Sequence, residues 1–355
     1  MPELAKTHGG YGGAGAQRNR DAGSHHKAKE VYNAGHLAGA STCPAAKTRI
    51  CVMKSLRVRF LVIAITIVFA FIAAAAGRPK AGPGALQKAR PPQSLRLYVF
   101  DCGTLHNSDA ARYRFKKEEL ATMEMSVACF LVAHPKGTLV WDTGAVPDNS
   151  WTPTGKASVQ HIVLSDSQQR DISMVKLLKG QLAELGYSPT DIAYLVLSHY
   201  HWDHTANANE FAGATWMVRQ VERDAMFAGQ APGTTQPSTY SALRNSKTII
   251  LKDDEHDVFG DGTVVIKSAP GHTPGHQVLY LKLAKTGGVV LSGDLYHYPE
   301  ERKLDRVPTF DFNAEQTRAS RVMIEAFVKQ KGAQLWIQHD FIGNAKLKKA
   351  PEFYE

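Results

Sequence analysis

Residues 94–355 of this chain predict a mixed α/β or α+β domain, with strands in two groups and helices alternating among them. Three observations carry that prediction. Short apolar runs of strand length, bounded by turn residues, recur from Leu95 onward. Two stretches repeat apolar residues at helical spacing and carry end signals. Residues able to hold metal ions follow directly after several of the strands, where α/β sheets present their ligand-binding loops.

The first expected strands are LRLYVFDCG and the pair within MSVACFLVAHPKGTLVWDTG, the latter joined by a His-Pro-Lys-Gly turn. Between them lies a polar and aromatic excursion, TLHNSDAARYRFKKEELATM. A second long excursion runs from Ala145 to Arg170, and loops of that length usually serve function. Ile172, Val175, Leu178, Leu182 and Leu185 then recur at helical spacing, with Gly186 placed to end the helix. DIAYLVLSH follows as a buried strand, and ATWMVRQ, TIILKD, TVVIKSA, QVLYLKLA and GVVLSGD as further ones. A helix is expected over Ala314–Lys331, capped by Asn313 and closed by Gly332, before a last strand in AQLWIQHD.

The N-terminal part has a different character. The formal net charge of +9 is concentrated there: residues 1–59 hold ten Lys/Arg against three Asp/Glu, leaving 32 basic and 30 acidic residues beyond. The near-neutral body gives no basis for nucleic-acid binding. Residues 1–52 read as a disordered, basic, low-complexity extension, and Met53 marks an alternative start that would leave them untranslated. Residues 53–76 read as a signal peptide, with Lys54, Arg57 and Arg59 before the apolar run Phe60–Ala76. The alternative is a retained membrane anchor over residues 56–76, and membrane contact is expected only through this segment. Residues 77–93 form a Pro/Gly-rich linker. The expected location is therefore exported, periplasmic or secreted. Cys43 and Cys51 precede the cleavage region; Cys102 and Cys129 lie in the body, either paired or as two buried thiols.

The chemistry concentrates in SHYHWDHTAN, where His199, His201, Asp203 and His204 crowd one turn. Imidazole and carboxylate are standard ligands for Zn²⁺ and similar ions. The turn is too small to supply two ions, so partners are required downstream. His272 in APGHTPGH, Asp294 in LSGDLYHY and His339 in LWIQHDF meet that demand, each past a strand. His276 competes with His272 for the ligand role. His134, His161 and His256 are read as ordinary satisfied or solvent-facing residues.

This set resembles the metallo-β-lactamase superfamily, and LVWDTG resembles its early strand–loop motif. The resemblance covers roughly residues 95–355 and implies a four-layer αββα sandwich with two metal ions at one edge. It implies that His199, His201 and His272 hold one ion, that Asp203, His204 and His339 hold the other, and that Asp294 bridges. It also selects His272 over His276 and gives Asp142 the task of orienting a loop or ligand. Within the superfamily the wording is most similar to N-acyl homoserine lactonases, in SHYHWDH, GHTPGHQ, the 22-residue step from His272 to Asp294 and the ending HDF…FYE. Those enzymes carry D-x-x-Y after the bridging Asp. Here His297 stands in the tyrosine's place and Tyr296 one residue earlier.

The resemblance implies a quorum-quenching lactonase that opens its substrate by attack of a metal-bridging hydroxide. Tyr296 or His297 would stabilise the oxyanion, and Asp203 would pass the proton to the leaving group. Tyr113, Phe115, Met123, Met125 and Trp151 are candidates to line an acyl pocket. Two divalent ions are expected, zinc before Mn, Co or Fe, with a small lactone or ester as substrate. Oligomeric state is open, a homodimer being one option. A phosphotriester hydrolase uses the same ligands and remains the alternative, and thioester hydrolysis is a weaker one. The bridging Asp294 argues against β-lactam hydrolysis, and the lack of a flavin domain argues against redox chemistry. A non-catalytic, metal-stabilised binding protein is the alternative of another class.

Overall fold

The computed structural model describes residues 89–107, 109–164, 167–230 and 232–355. The extension at 1–52, the signal or anchor at 53–76, Cys43, Cys51 and most of the linker lie outside the described residues. Among the described residues, no helix is long and apolar enough to cross a membrane.

Eight strands form the first sheet: β1 (Arg96–His106), β2 (Glu124–His134), β3 (Gly137–Trp141), β4 (Ser158–Val163), β5 (Gln169–Met174), β6 (Tyr194–Val196), β7 (Thr215–Val218) and β8 (Thr248–Ile250). Their order is β4-β5-β1-β2-β3-β6-β7-β8. Pairing is antiparallel from β4 to β3 and parallel from β3 to β8. Five strands form the second: β9 (Glu255–Asp257), β10 (Val264–Ser268), β11 (Gln277–Leu283), β12 (Gly287–Leu291) and β13 (Gln334–Trp336), ordered β13-β12-β11-β10-β9.

Side chains alternate across a strand, and that period builds the layers. In β2, Ala128, Phe130 and Val132 point toward the second sheet and meet Leu279, Leu281 and Ile266 there. Val127, Cys129 and Leu131, on the other face, join Leu178, Leu182, Phe211 and Met226 of the helical layer. On the second sheet's outer face, Val278, Tyr280 and Val290 pack against Ile324, Phe327 and Val328. The result is the αββα sandwich.

The helix Ala314–Lys331 has the expected bounds: Asn313 Oδ1 accepts from the Glu315 and Gln316 amides, and Gly332 closes it with φ 58°. Two expectations are corrected. Ala145–Arg170 is not one long loop, because β4 and β5 form a hairpin there that extends the first sheet. Ile172 accordingly belongs to β5, and the helix that follows spans only Leu178–Glu184. A strand and a helix share this boundary, so apolar residues on both mimic one helical period. Cys102 on β1 and Cys129 on β2 form a disulfide with Cα atoms 6.0 Å apart, which decides between the two states left open by the sequence.

Candidate metal centre

The strands β3, β6, β10, β12 and β13 all end at one edge of the sandwich, and each hands its following residues to the same spot. Asp142 follows β3, the Ser198–His204 turn follows β6, His272 follows β10, Asp294 follows β12 and His339 follows β13. Two glycines let these loops approach. Gly271, at φ 135°, lies where a Cβ would come within 2.2 Å of the Thr317 amide nitrogen, so only glycine seats the His272 loop on the helix start. Gly293, at φ 49°, would place a Cβ 2.7 Å from His276 Nε2.

All seven expected ligands are buried together. His199, His201, His272 and Asp294 present ligand atoms within 4.8 Å of one another, as do Asp203, His204 and His339. Asp294 stands between the groups. Its Oδ2 lies 3.5 Å from His199 Nε2 and 3.3 Å from His272 Nε2, and its Oδ1 lies 3.1 Å from both His204 Nε2 and His339 Nε2. Asp203 Oδ2 is 3.5 Å from His339 Nε2.

A buried polar atom normally finds a hydrogen-bond partner. Here His199 Nε2, His204 Nε2, His339 Nε2 and Asp294 Oδ1 have none, and all converge on the same space. Cations satisfy such a set, whereas apolar packing would leave it costly. The electrostatics agree. Burial pushes His199 and His201 well below the usual imidazole range, leaving neutral lone pairs to offer. At His204 burial opposes the charge, but Asp294, Asp142 and Asp203 outweigh it and raise the pKa well above the usual value. Burial likewise opposes ionisation of Asp294, and the surrounding His204, His339 and His199 overcome it.

The remaining ring nitrogens are fixed from behind, as ligand histidines require. His204 Nδ1 lies 2.9 Å from Asp142 Oδ2, and Asp142 also accepts from the Ser198 amide, the Ser198 hydroxyl and Gln338 Nε2. His272 Nδ1 lies 2.8 Å from Asp311 Oδ1, and His339 Nδ1 lies 2.7 Å from the Ser126 carbonyl. His276, the competitor, faces away from the group: its Nδ1 meets the Ala269 carbonyl, and its Nε2 accepts from the Asp294 amide. Burial beside His272 pushes its pKa down to about 3, which keeps that nitrogen free to accept.

Sequence reasoning reached Asp142 but not Asp311, Gln338 or Glu222. Glu222 is buried and accepts from the Tyr200 amide (2.8 Å), the Thr273 hydroxyl (2.9 Å) and the Gly275 amide (2.7 Å). It thereby clasps the two histidine-bearing loops to each other.

The centre opens into a cavity of about 550 Å³, lined in part by Tyr113, Met125, Leu164, Trp202 and Phe310. Of the five acyl-pocket candidates, Tyr113 and Met125 reach it. Phe115 and Trp151 are absorbed into the hydrophobic core, and Met123 packs against it. Tyr296 does not reach it either, contrary to expectation: its hydroxyl donates to Glu325, under the Arg321 guanidinium. His297 does line it. There its Nε2 is 3.2 Å from Asp294 Oδ2 and its Nδ1 3.2 Å from Glu301 Oε1. Burial opposes charging of this ring, but Glu301 and Asp294 prevail and hold the pKa at about 10.

Comparison with known proteins agrees with this geometry. Residues 122–331 match the family model of the metallo-beta-lactamase superfamily. The N-acyl homoserine lactonase AttM of Rhizobium radiobacter is 30% identical over 267 residues, covering 73% of this chain and 98% of that one. AttM of Azorhizobium caulinodans is 29% identical over 265 residues, covering 74% and 99%. Among solved structures, a variant of B. thuringiensis AiiA with N-decanoyl-L-homoserine at its active site superposes with a TM-score of 0.60 at 22% identity, over 73% of this chain and 98% of that one. AidC, a dizinc quorum-quenching lactonase, gives 0.54 at 18%, over 76% and 98%. With two sheets face to face, the ligand groups at their shared edge and a family model covering most of both sheets, the chain is an enzyme of the metallo-beta-lactamase superfamily.

Proposed function

We propose that this enzyme opens the ring of N-acyl homoserine lactones or close relatives, with two divalent ions, zinc foremost, as its cofactors. The observation that carries the reading is the placement of Asp294, one carboxylate oxygen facing each group of histidines at the floor of a cavity. His199, His201 and His272 would hold one ion, Asp203, His204 and His339 the other, and Asp294 both. Bound there, two such ions would supply Lewis acidity, acidifying water and polarising an ester carbonyl. Ring opening needs a proton for the leaving alkoxide, and the Asp203 carboxylate, at the cavity wall, would take up the proton that the attacking water loses and hand it to that oxygen. The names of the AttM relatives support the lactone class.

An exported location fits the Cys102–Cys129 disulfide, since such bonds persist mainly in oxidising compartments. The test is a pH-indicator assay on the zinc-loaded protein. It offers acyl homoserine lactones of short and long chain, a phosphotriester and a β-lactam, with Asp294→Ala as control. Lactone turnover that vanishes in the variant is the expected result. Turnover of the phosphotriester without the lactones would replace the substrate class and keep the site.

A further inference from the structure

Attack on a lactone drives negative charge onto the carbonyl oxygen, and a hydrogen-bond donor aimed at that oxygen lowers the barrier. Of the two residues expected to donate, Tyr296 is out of reach and His297 faces a carboxylate with each ring nitrogen. Tyr296 spends its hydroxyl on Glu325. His297 has a carboxylate 3.2 Å from each ring nitrogen, Asp294 at one and Glu301 at the other. Glu301 is itself fully buried and fixed by Arg321 and the His297 amide. The chain His297–Glu301–Arg321 therefore orients Asp294 from behind.

A different side chain of the same wall has the right chemistry. Tyr113 comes from the first excursion, on a short turn (Ala110–Tyr113) capped by Asp109, whose carboxylate accepts from the Ala111 amide. The turn is pinned to the segment before the long helix, because Thr309 N donates to the Arg112 carbonyl and Arg114 Nε to that of Val307. Its ring is wedged edge-on among His297 (5.1 Å), Tyr298 (5.2 Å) and Phe310 (5.3 Å). It lines the cavity, and among the described residues its hydroxyl has no hydrogen-bond partner. The tyrosine packed against it is committed: Tyr298 donates to the Met123 carbonyl and accepts from Asn107.

We infer that Tyr113, packed beside His297 on the cavity wall, is the donor to the substrate's developing oxyanion. The inference rests on the proposed ester chemistry. Burial, with Tyr298, Asp203 and Asp294 nearby, holds the phenol well above its usual pKa, so it keeps the proton it must donate. No covalent step is required of it: the O–H bond stays intact while its hydrogen bond shortens onto the oxyanion.

The test is Tyr113→Phe beside His297→Asn, in the zinc-loaded full chain. Tyr113→Phe should lower kcat about 10²-fold with KM changed less than threefold, and leave the bound metal and the thermal midpoint at wild-type values. It should also weaken binding of a tetrahedral phosphonate analogue of the lactone adduct by about tenfold or more, and leave binding of an unreactive ground-state amide unchanged. His297→Asn should reduce metal retention instead. A Tyr113→Phe enzyme with wild-type kcat, or with a raised KM alone, would make Tyr113 a wall residue and overturn the inference. So would a His297→Asn enzyme that keeps its metal and loses kcat while Tyr113→Phe does not. If the wild type turns over only the phosphotriester, the lactone reading falls by itself. The same pair is then compared on the phosphoryl oxygen, which takes the same hydrogen bond.

Discussion

Two regions of this molecule are equally buried and chemically opposite. Between the sheets, Phe130, Leu139, Leu279 and Leu281 lie at 0–2% exposure, with apolar atoms that find all they need in one another. At the edge of the same sheets, His199, His204, Asp294 and His339 lie at 0–3% exposure, with nitrogens and oxygens left without partners. Burial stabilises the first set by about 1.5–3 kcal/mol per large side chain. It penalises the second set unless cations complete it. The core is finished by folding; the edge, on the proposed reading, is finished by metal. That asymmetry predicts which perturbations separate stability from activity.

The largest expected effect comes from removing divalent ions. Chelation should abolish hydrolysis, lower the thermal midpoint through loss of the linked binding energy, and be reversed by added zinc. Full activity after exhaustive dialysis against a chelator would break the comparison at its edge. Next is Phe130→Ala. It should cost about 3–5 kcal/mol in urea unfolding, while each chain that remains folded keeps its metal and its kcat. Activity lost in proportion to something other than unfolding would mean that the two regions are not separable.

The smallest effect sharpens the boundary between the regions. Glu222→Gln keeps the acceptor for Tyr200 and Thr273 but turns an amide N–H toward that of Gly275, a loss of about 1–3 kcal/mol. Burial pushes the Glu222 carboxyl up to about 7 against those three hydrogen bonds, from an ordinary value of 4.5. A group held more protonated in the folded state stabilises fully below its unfolded pKa and loses that contribution as pH rises through the folded one. Wild type should therefore lose stability relative to Glu222→Gln between about pH 4.5 and 7. Unfolding curves of the metal-stripped proteins at several pH values read this directly; parallel profiles would refute it.

The pattern of what the sequence reveals follows the same division. Strands such as MSVACFLV and the helix Ala314–Lys331 are legible because their period and caps are local. The β4–β5 hairpin is not, because Val159 and Val163 point their apolar surface outward and Ile172 sits at a spacing that also fits a helix. The metal-ligand candidates are legible because strand ends concentrate them in short motifs. Asp311 and Glu222 escape notice because each meets its partner from a distant segment, with no local pattern to announce it. Residues 296 and 297 are adjacent, and only the backbone's path after Asp294 decides which of them enters the cavity.

The proposed two-ion centre joined through Asp294 is tested most directly by counting ions per folded chain. Elemental analysis of purified wild type and Asp294→Ala would be read beside their turnover. Two ions in wild type, with fewer than two and no turnover in Asp294→Ala, is the predicted result. A single ion per chain, retained unchanged when Asp294 is replaced, would contradict it.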